Sequence, residues 1–168
     1  ILLFIFTFLF LFTIYMILSN ENLKFHLSNW LSQNKKIVFT NGCFDLIHQG
    51  HKDLLNKAKS LGDILIVGLN SDRSVKRLKG IQRPIQNEKE RAKNLCEIGS
   101  VDNVIMFDED TPDRLIREIK PHVLVKGGDY TIDSIVGSRD VLAAGGIVEI
   151  IPLTPGYSTS KTIEKMNR

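Results

Sequence analysis

From Lys35 onward, short apolar runs alternate with stretches in which apolar positions recur every three or four residues. Ile37-Val38-Phe39, Ile64 to Leu69, Val104 to Phe107, His122 to Val125 and Ile147 to Ile151 read as five strands. The first two are apolar runs of the kind a strand covered on both faces shows; His122 and Glu149 are the polar positions in the last two. Between the first two, Leu54, Leu55, Ala58 and Leu61 keep helical spacing up to Gly62, which can end a helix. Residues 86–99 read as another helix, Thr111-Pro112 opens a third, and a last one is expected near Ser158. Residues Asn20 to Asn34, with Leu23, Phe25, Leu27, Trp30 and Leu31 scattered among polar positions, suit a short amphipathic helix or a linker.

Strands alternating with helices predict an α/β fold with a doubly wound, five-stranded parallel sheet of Rossmann-like type, formed as a single domain over residues 35–168. Ligands of such sheets sit beyond the carboxyl ends of the strands. The loops after residues 40, 69, 107, 125 and 151 are therefore the places to look.

The first eighteen residues, Ile1 to Leu18, follow another rule. They carry no charge, and Phe4, Phe6, Phe8, Phe10 and Phe12 occupy every second position. A run of about 18 apolar residues meets the lower limit for a membrane-spanning helix. Lys24, Lys35 and Lys36 follow it, so an anchor would leave the remaining chain in the cytoplasm. Neither a positive start nor a small-residue cleavage site marks it as a signal peptide. A dispensable, AT-rich translated extension is the competing reading, and residues 19–34 then form the link to the domain. Membrane contact is expected only if the segment is a true anchor.

Composition changes this picture little. A net charge of +3 over 168 residues is too small to suggest a nucleic-acid partner and fits a protein that handles phosphate at one site. Cys43 and Cys96 form neither a metal spacing nor a disulfide framework, which suits a reduced, cytoplasmic chain.

The chemistry concentrates in the first strand-to-helix loop, Thr40-Asn41-Gly42-Cys43-Phe44-Asp45-Leu46-Ile47-His48-Gln49-Gly50-His51. A helix starting near Gln49 would offer unpaired N–H groups and the positive end of its dipole to an anion. Gly42 permits close backbone approach, and Gly50 lets His48 and His51 flank a phosphate with no side chain between them. Two histidines could also bind zinc, but no further Cys or Glu occupies a partner position and Asp45 is the nearby carboxylate. Cys43 reads as a small apolar residue, and His26 and His122 as structural or exposed.

This segment resembles the His-x-Gly-His signature of the cytidylyltransferase-like nucleotidyltransferases, together with its upstream Asn-Gly-Cys-Phe-Asp. Asn70-Ser71-Asp72, Lys76 to Gly80, Arg83-Pro84, Val125-Lys126-Gly127-Gly128-Asp129-Tyr130 and Gly156-Tyr157-Ser158-Thr159-Ser160-Lys161 are similar to the D-glycero-β-D-manno-heptose 1-phosphate adenylyltransferases (ADP-heptose synthases). That activity is often fused behind a sugar kinase; no kinase-sized region lies in this sequence, so the resemblance is to the stand-alone form. It implies transfer of AMP from ATP to a sugar 1-phosphate, for lipopolysaccharide or a related glycan, with Mg²⁺ carried by the triphosphate and no dedicated metal ligands. It also implies a homodimer.

Site residues follow from the same resemblance. His48, His51 and Lys79 are the expected catalytic groups. Thr40, Asn41, Gly42, Cys43, Phe44, Asp45, Gly50, Lys126, Gly127, Ser158, Thr159, Ser160 and Lys161 are expected to bind nucleotide, and Arg83, Asp129 and Tyr130 the acceptor. Lys79 and Arg83 are placed in a loop after the second strand, where a solvated basic patch is the plainer alternative. Arg91 falls on a helix and reads as a salt-bridge partner of Glu88 or Glu90. Cytidylyl-transferring relatives carry an arginine before the glycine that is Gly156 here; Thr154-Pro155-Gly156 favours ATP over CTP with glycerol 3-phosphate or a similar alcohol phosphate.

Overall fold

The computed structural model describes residues 16–152. Its strands are β1 (Ile17–Leu18), β2 (Ile37–Gly42), β3 (Ile64–Asn70), β4 (Asn103–Phe107), β5 (Val123–Gly127) and β6 (Ile147–Ile151). The helices are α1 (Asn20–Ser32), α2 (Gln49–Lys59), α3 (Asp72–Lys79), α4 (Glu88–Cys96), α5 (Asp113–Ile119) and α6 (Ser138–Ala143), with a 3₁₀ turn at Ile132–Ser134. The six strands form one sheet in the order β1-β4-β3-β2-β5-β6, with every pairing parallel.

Alternation along the strands divides the core. Ile37, Phe39, Ile66, Ile105 and Leu124 join one buried cluster with Leu23 and Leu27 of α1, Leu115, Ile116 and Ile119 of α5, and Val141 of α6. Val38, Leu65, Val67, Val104 and Val125 join the other with Leu55 and Ala58 of α2 and Ala92 and Leu95 of α4. Successive strand residues point to opposite faces, so each strand feeds both layers. This is the doubly wound arrangement the pattern predicts.

Three details differ from the sequence expectation. The sheet has six strands, not five, because Ile17 and Leu18 pair with Val104 and Ile105, and Asn103 Nδ2 donates to the Met16 carbonyl at 3.3 Å. Leu18, Leu23 and Leu27 are buried, so the packed unit takes in residues upstream of Lys35. The segment after β3 holds a further helix, α3, with Lys79 as its last residue, where a loop was expected. Among the described residues no helix is long and apolar enough to cross a membrane. Apart from Met16 to Leu18, the apolar leader lies outside them, as does the helix expected near Ser158.

The chain passes from β2 to β3 to β4 on one side, then returns to β5 and β6 on the other. β2 and β5 therefore flank the switch point, and their carboxyl ends, Gly42 and Gly127, open the crevice where such folds bind ligands.

Candidate active site

His48 is the N-cap of α2, with extended backbone (φ −133°, ψ 175°), and its side chain accepts from the His51 backbone N–H. That bond is 3.4 Å long and falls on Nδ1, so the neutral ring carries its proton on Nε2. The two imidazoles stack with centroids 3.8 Å apart and planes 16° apart. Desolvation by burial lowers the His48 pKa. It lowers that of His51 to about 4, with a smaller push from His48 and opposition from the Leu46 carbonyl. His51 Nδ1 is buried without a hydrogen-bond partner among the described residues.

The turn that delivers these rings is strained. Phe44 adopts φ +43°, a left-handed conformation that bulky residues rarely hold unless their surroundings enforce it. Its buried ring lies 5.2 Å from that of His51. A Cβ on Gly42 would come within 3.1 Å of the Phe44 ring, so any larger residue there requires that ring to shift.

A cavity of about 480 Å³ opens at the switch point, and residues 41 to 45, His51, Lys79, Arg83, Lys126, Gly127 and Tyr130 line it. Lys126 reaches from the end of β5 to donate to Asn41 Oδ1 at 2.8 Å, bridging β5 to β2. Burial depresses the Lys126 pKa, with the Cys43 thiol opposing. Its ammonium lies 6.0 Å from the Tyr130 ring centroid, at the edge of cation–π range. Neither Lys79 nor Lys126 has a carboxylate partner among the described residues.

Arg83 is different. Its Nη2 and Nε both lie 2.6 Å from Asp45 Oδ2. Burial would raise the Asp45 pKa, yet the backbone N–H groups of Gln86 and Ile85 and the Arg83 guanidinium outweigh it and hold the carboxyl below its ordinary value. The Cys43 thiol is pushed up by burial, against Lys79, Arg91 and Arg83.

Not every expected residue meets the cavity. Thr40 is buried with its Oγ1 unpaired, behind the lining residues. Gly50 sits in the first turn of α2, His48 is stacked beyond His51, and Asp129 is exposed, none of them on the cavity wall. Ser158, Thr159, Ser160 and Lys161 lie outside the described residues.

Two residues named in the sequence had no site role assigned there. Asn70, at the end of β3, lines the cavity and donates to Ser74 Oγ at 3.0 Å. Arg91 is fully buried and donates to the carbonyls of Gln86 (3.0 Å) and Cys43 (2.6 Å) and to Asp72 (2.8 Å). This corrects the expected pairing with Glu88 or Glu90, whose carboxylates instead receive the Asp72 and Asn87 backbone N–H groups. The one available signal was the position of Arg91 beside Ala92 and Leu95 on the apolar stripe of α4.

These features define an α/β domain with a cationic cleft at its switch point. A model of the cytidylyltransferase-like family matches residues 39–165, and the chain belongs to that family. It is 56% identical over 135 residues to the bifunctional protein HldE of Citrifermentans bemidjiense, covering 80% of this chain and 28% of that one. With the bifunctional protein HldE of Geobacter metallireducens it shares 56% over 137 residues, covering 82% and 28%. It thus spans under a third of the length of these relatives. The crystal structure of the lipopolysaccharide core biosynthesis protein from Thermoplasma volcanium GSS1 is similar at a TM-score of 0.58 and 30% identity, covering 71% of this chain and 97% of that one.

Proposed function

We propose that this domain transfers AMP from MgATP to D-glycero-β-D-manno-heptose 1-phosphate, giving ADP-heptose and pyrophosphate in the cytoplasm for lipopolysaccharide or a related glycan. The observation that carries the reading is the stacked pair His48 and His51 at the start of α2, beside a cavity that also receives Lys126 and Lys79. The similarity to the bifunctional HldE proteins and to the Thermoplasma core biosynthesis protein supports the acceptor class.

In this reading a phosphate oxygen of the acceptor attacks the α-phosphorus of ATP. The new P–O bond forms as the bond from that phosphorus to the bridging oxygen breaks, and pyrophosphate leaves with its Mg²⁺. No covalent bond to the protein forms. The residues position the reactants and stabilise charge on the transferring group. His48, with its proton on Nε2, and His51 donate to the α-phosphate oxygens, an effect often worth about 3–4 kcal/mol per donor. Lys126 and Lys79 meet the remaining phosphate charge. In this reading Mg²⁺ arrives with the triphosphate and leaves with pyrophosphate, as part of the substrate.

Pyrophosphate release tests this, with ATP or CTP offered against heptose 1-phosphate, glycerol 3-phosphate, ethanolamine phosphate and phosphopantetheine. Turnover is expected for ATP with heptose 1-phosphate. Turnover confined to CTP with glycerol 3-phosphate would overturn the reading.

A further inference from the structure

Asp45 belongs to the turn expected to hold nucleotide, yet its oxygens are already occupied. Its side chain is 1% exposed. Oδ1 accepts from the backbone N–H of Ile85 at 2.8 Å and of Gln86 at 2.9 Å. Oδ2 faces Arg83 Nε and Nη2, each at 2.6 Å. A carboxylate oxygen accommodates about two such partners, so both are saturated by protein. A buried carboxylate satisfied in this way is poorly placed to meet a polyanion, which would add like charge to a desolvated anion.

The consequence falls on Arg83. A guanidinium carries a fixed fork of N–H donors. Asp45 takes the Nε and Nη2 side, which leaves the Nη1 side without a partner among the described residues, on a residue that lines the cavity. The backbone is fixed with it. The Gln86 N–H is held by Asp45, and its carbonyl by Nε of the buried Arg91 at 3.0 Å. Arg91 grips the Cys43 carbonyl in the same turn that carries Asp45. The segment from Lys79 to Gln86 is thereby tied to the glycine turn through the peptide groups on both sides of Gln86, directly by Asp45 and by way of Arg91.

We propose that Asp45 is a positioning residue that touches no nucleotide: it holds the Arg83 guanidinium, and with it the 79–86 segment, ready for the phosphate of the acceptor. This rests on the adenylyl-transfer reading for the identity of the acceptor, but the fixed guanidinium is a property of the protein alone.

Two measurements on the full chain test it. The first needs no turnover. The Arg83 Nε–H resonance of the wild-type protein, assigned by its loss in Arg83→Gln, should exchange slowly with water; exchange as fast as that of an exposed arginine overturns the proposal. The second is kinetic, with ATP and heptose 1-phosphate. Asp45→Asn should raise the KM for the acceptor about tenfold or more while the KM for ATP stays within about twofold. In the Arg83→Gln background the same substitution should have little further effect, because no guanidinium remains to hold and an asparagine Oδ1 can still accept from the Ile85 and Gln86 N–H groups. A rise in the KM for ATP, or an undiminished effect in that background, overturns it. If Asp45→Asn does not fold, Arg83→Gln alone decides the kinetic part, since it must raise the KM for acceptor and not that for ATP. A wild-type protein that turns over neither substrate pair sinks the functional reading instead, while the exchange measurement still decides this one.

Discussion

Arg91 on α4 meets Asp72 on α3 at 2.8 Å, nineteen residues away in sequence, with the guanidinium wholly buried and the carboxylate partly exposed. The same guanidinium holds the carbonyls of Cys43 and Gln86, so one charge joins the glycine turn, the 79–86 segment and the start of α3. Removing one side of a buried, hydrogen-bonded pair strands the other groups. Arg91→Met should therefore destabilise the protein by about 3–5 kcal/mol. Urea unfolding checks this through the midpoint at unchanged slope, and a loss below about 1 kcal/mol would show that the contacts matter little.

α1 offers a second test, because it precedes the region that the sequence pattern marks as the domain. Leu23 is fully buried against the sheet, while Phe25 two residues on is 73% exposed. Leu23→Ala should cost about 2–5 kcal/mol from lost burial and the cavity left behind. Phe25→Ala should stay within about 0.5 kcal/mol, as surface changes usually do. Equal effects in thermal or urea unfolding would separate α1 from the core.

The central strands and the strand-to-helix turn were legible because burial on both faces writes apolar runs directly into the sequence, and because a helix start after a glycine turn has few alternatives. α3 was not legible. Asp72 to Lys79 is charged at most positions, and only Ser74 and Val75 are buried. Its helix is set by the Ser71 cap, whose hydroxyl accepts from the Ser74 N–H at 3.1 Å, rather than by an apolar stripe. β1 depends on pairing with β4 across more than eighty residues, which no local pattern records. Asp45 was named from its turn, but its burial and its partners, like those of Arg91, were not legible, for a related reason. Asp45 is held by the Ile85 and Gln86 N–H groups and by Arg83, and Arg91 reaches back to the Cys43 carbonyl and Asp72; such partners lie far off in sequence, and a charged residue gives no sign in sequence that it will be buried.

The imidazole pair makes stability depend on pH. The His51 pKa of about 4 in the folded protein lies below its ordinary 6.5, so the unfolded chain binds the proton first as pH falls. The contribution is complete above pH 6.5 and is lost as pH drops towards 4, by roughly 2–3 kcal/mol if His51 alone is counted. His48 is shifted in the same direction. His51→Gln should flatten the stability profile across that window in denaturant titrations at closely spaced pH. An unchanged slope would mean that the ring is not held neutral by the fold.

In the proposed reaction the same residue would separate chemistry from binding. An interaction made mainly with charge that develops in transfer lowers kcat when it is removed and leaves ground-state affinity nearly intact. His51→Ala should reduce kcat for pyrophosphate release about 10²–10³-fold. Its Kd for MgATP, measured by calorimetry, should stay within about threefold, because Lys126 and the amides at the start of α2 remain. His51→Ala also opens space beneath Phe44, whose ring lies against it, so the unfolding midpoint is measured alongside to separate a local collapse from a lost donor. Parallel losses in kcat and in MgATP affinity, with the fold intact, would assign His51 to nucleotide holding rather than to the transition state.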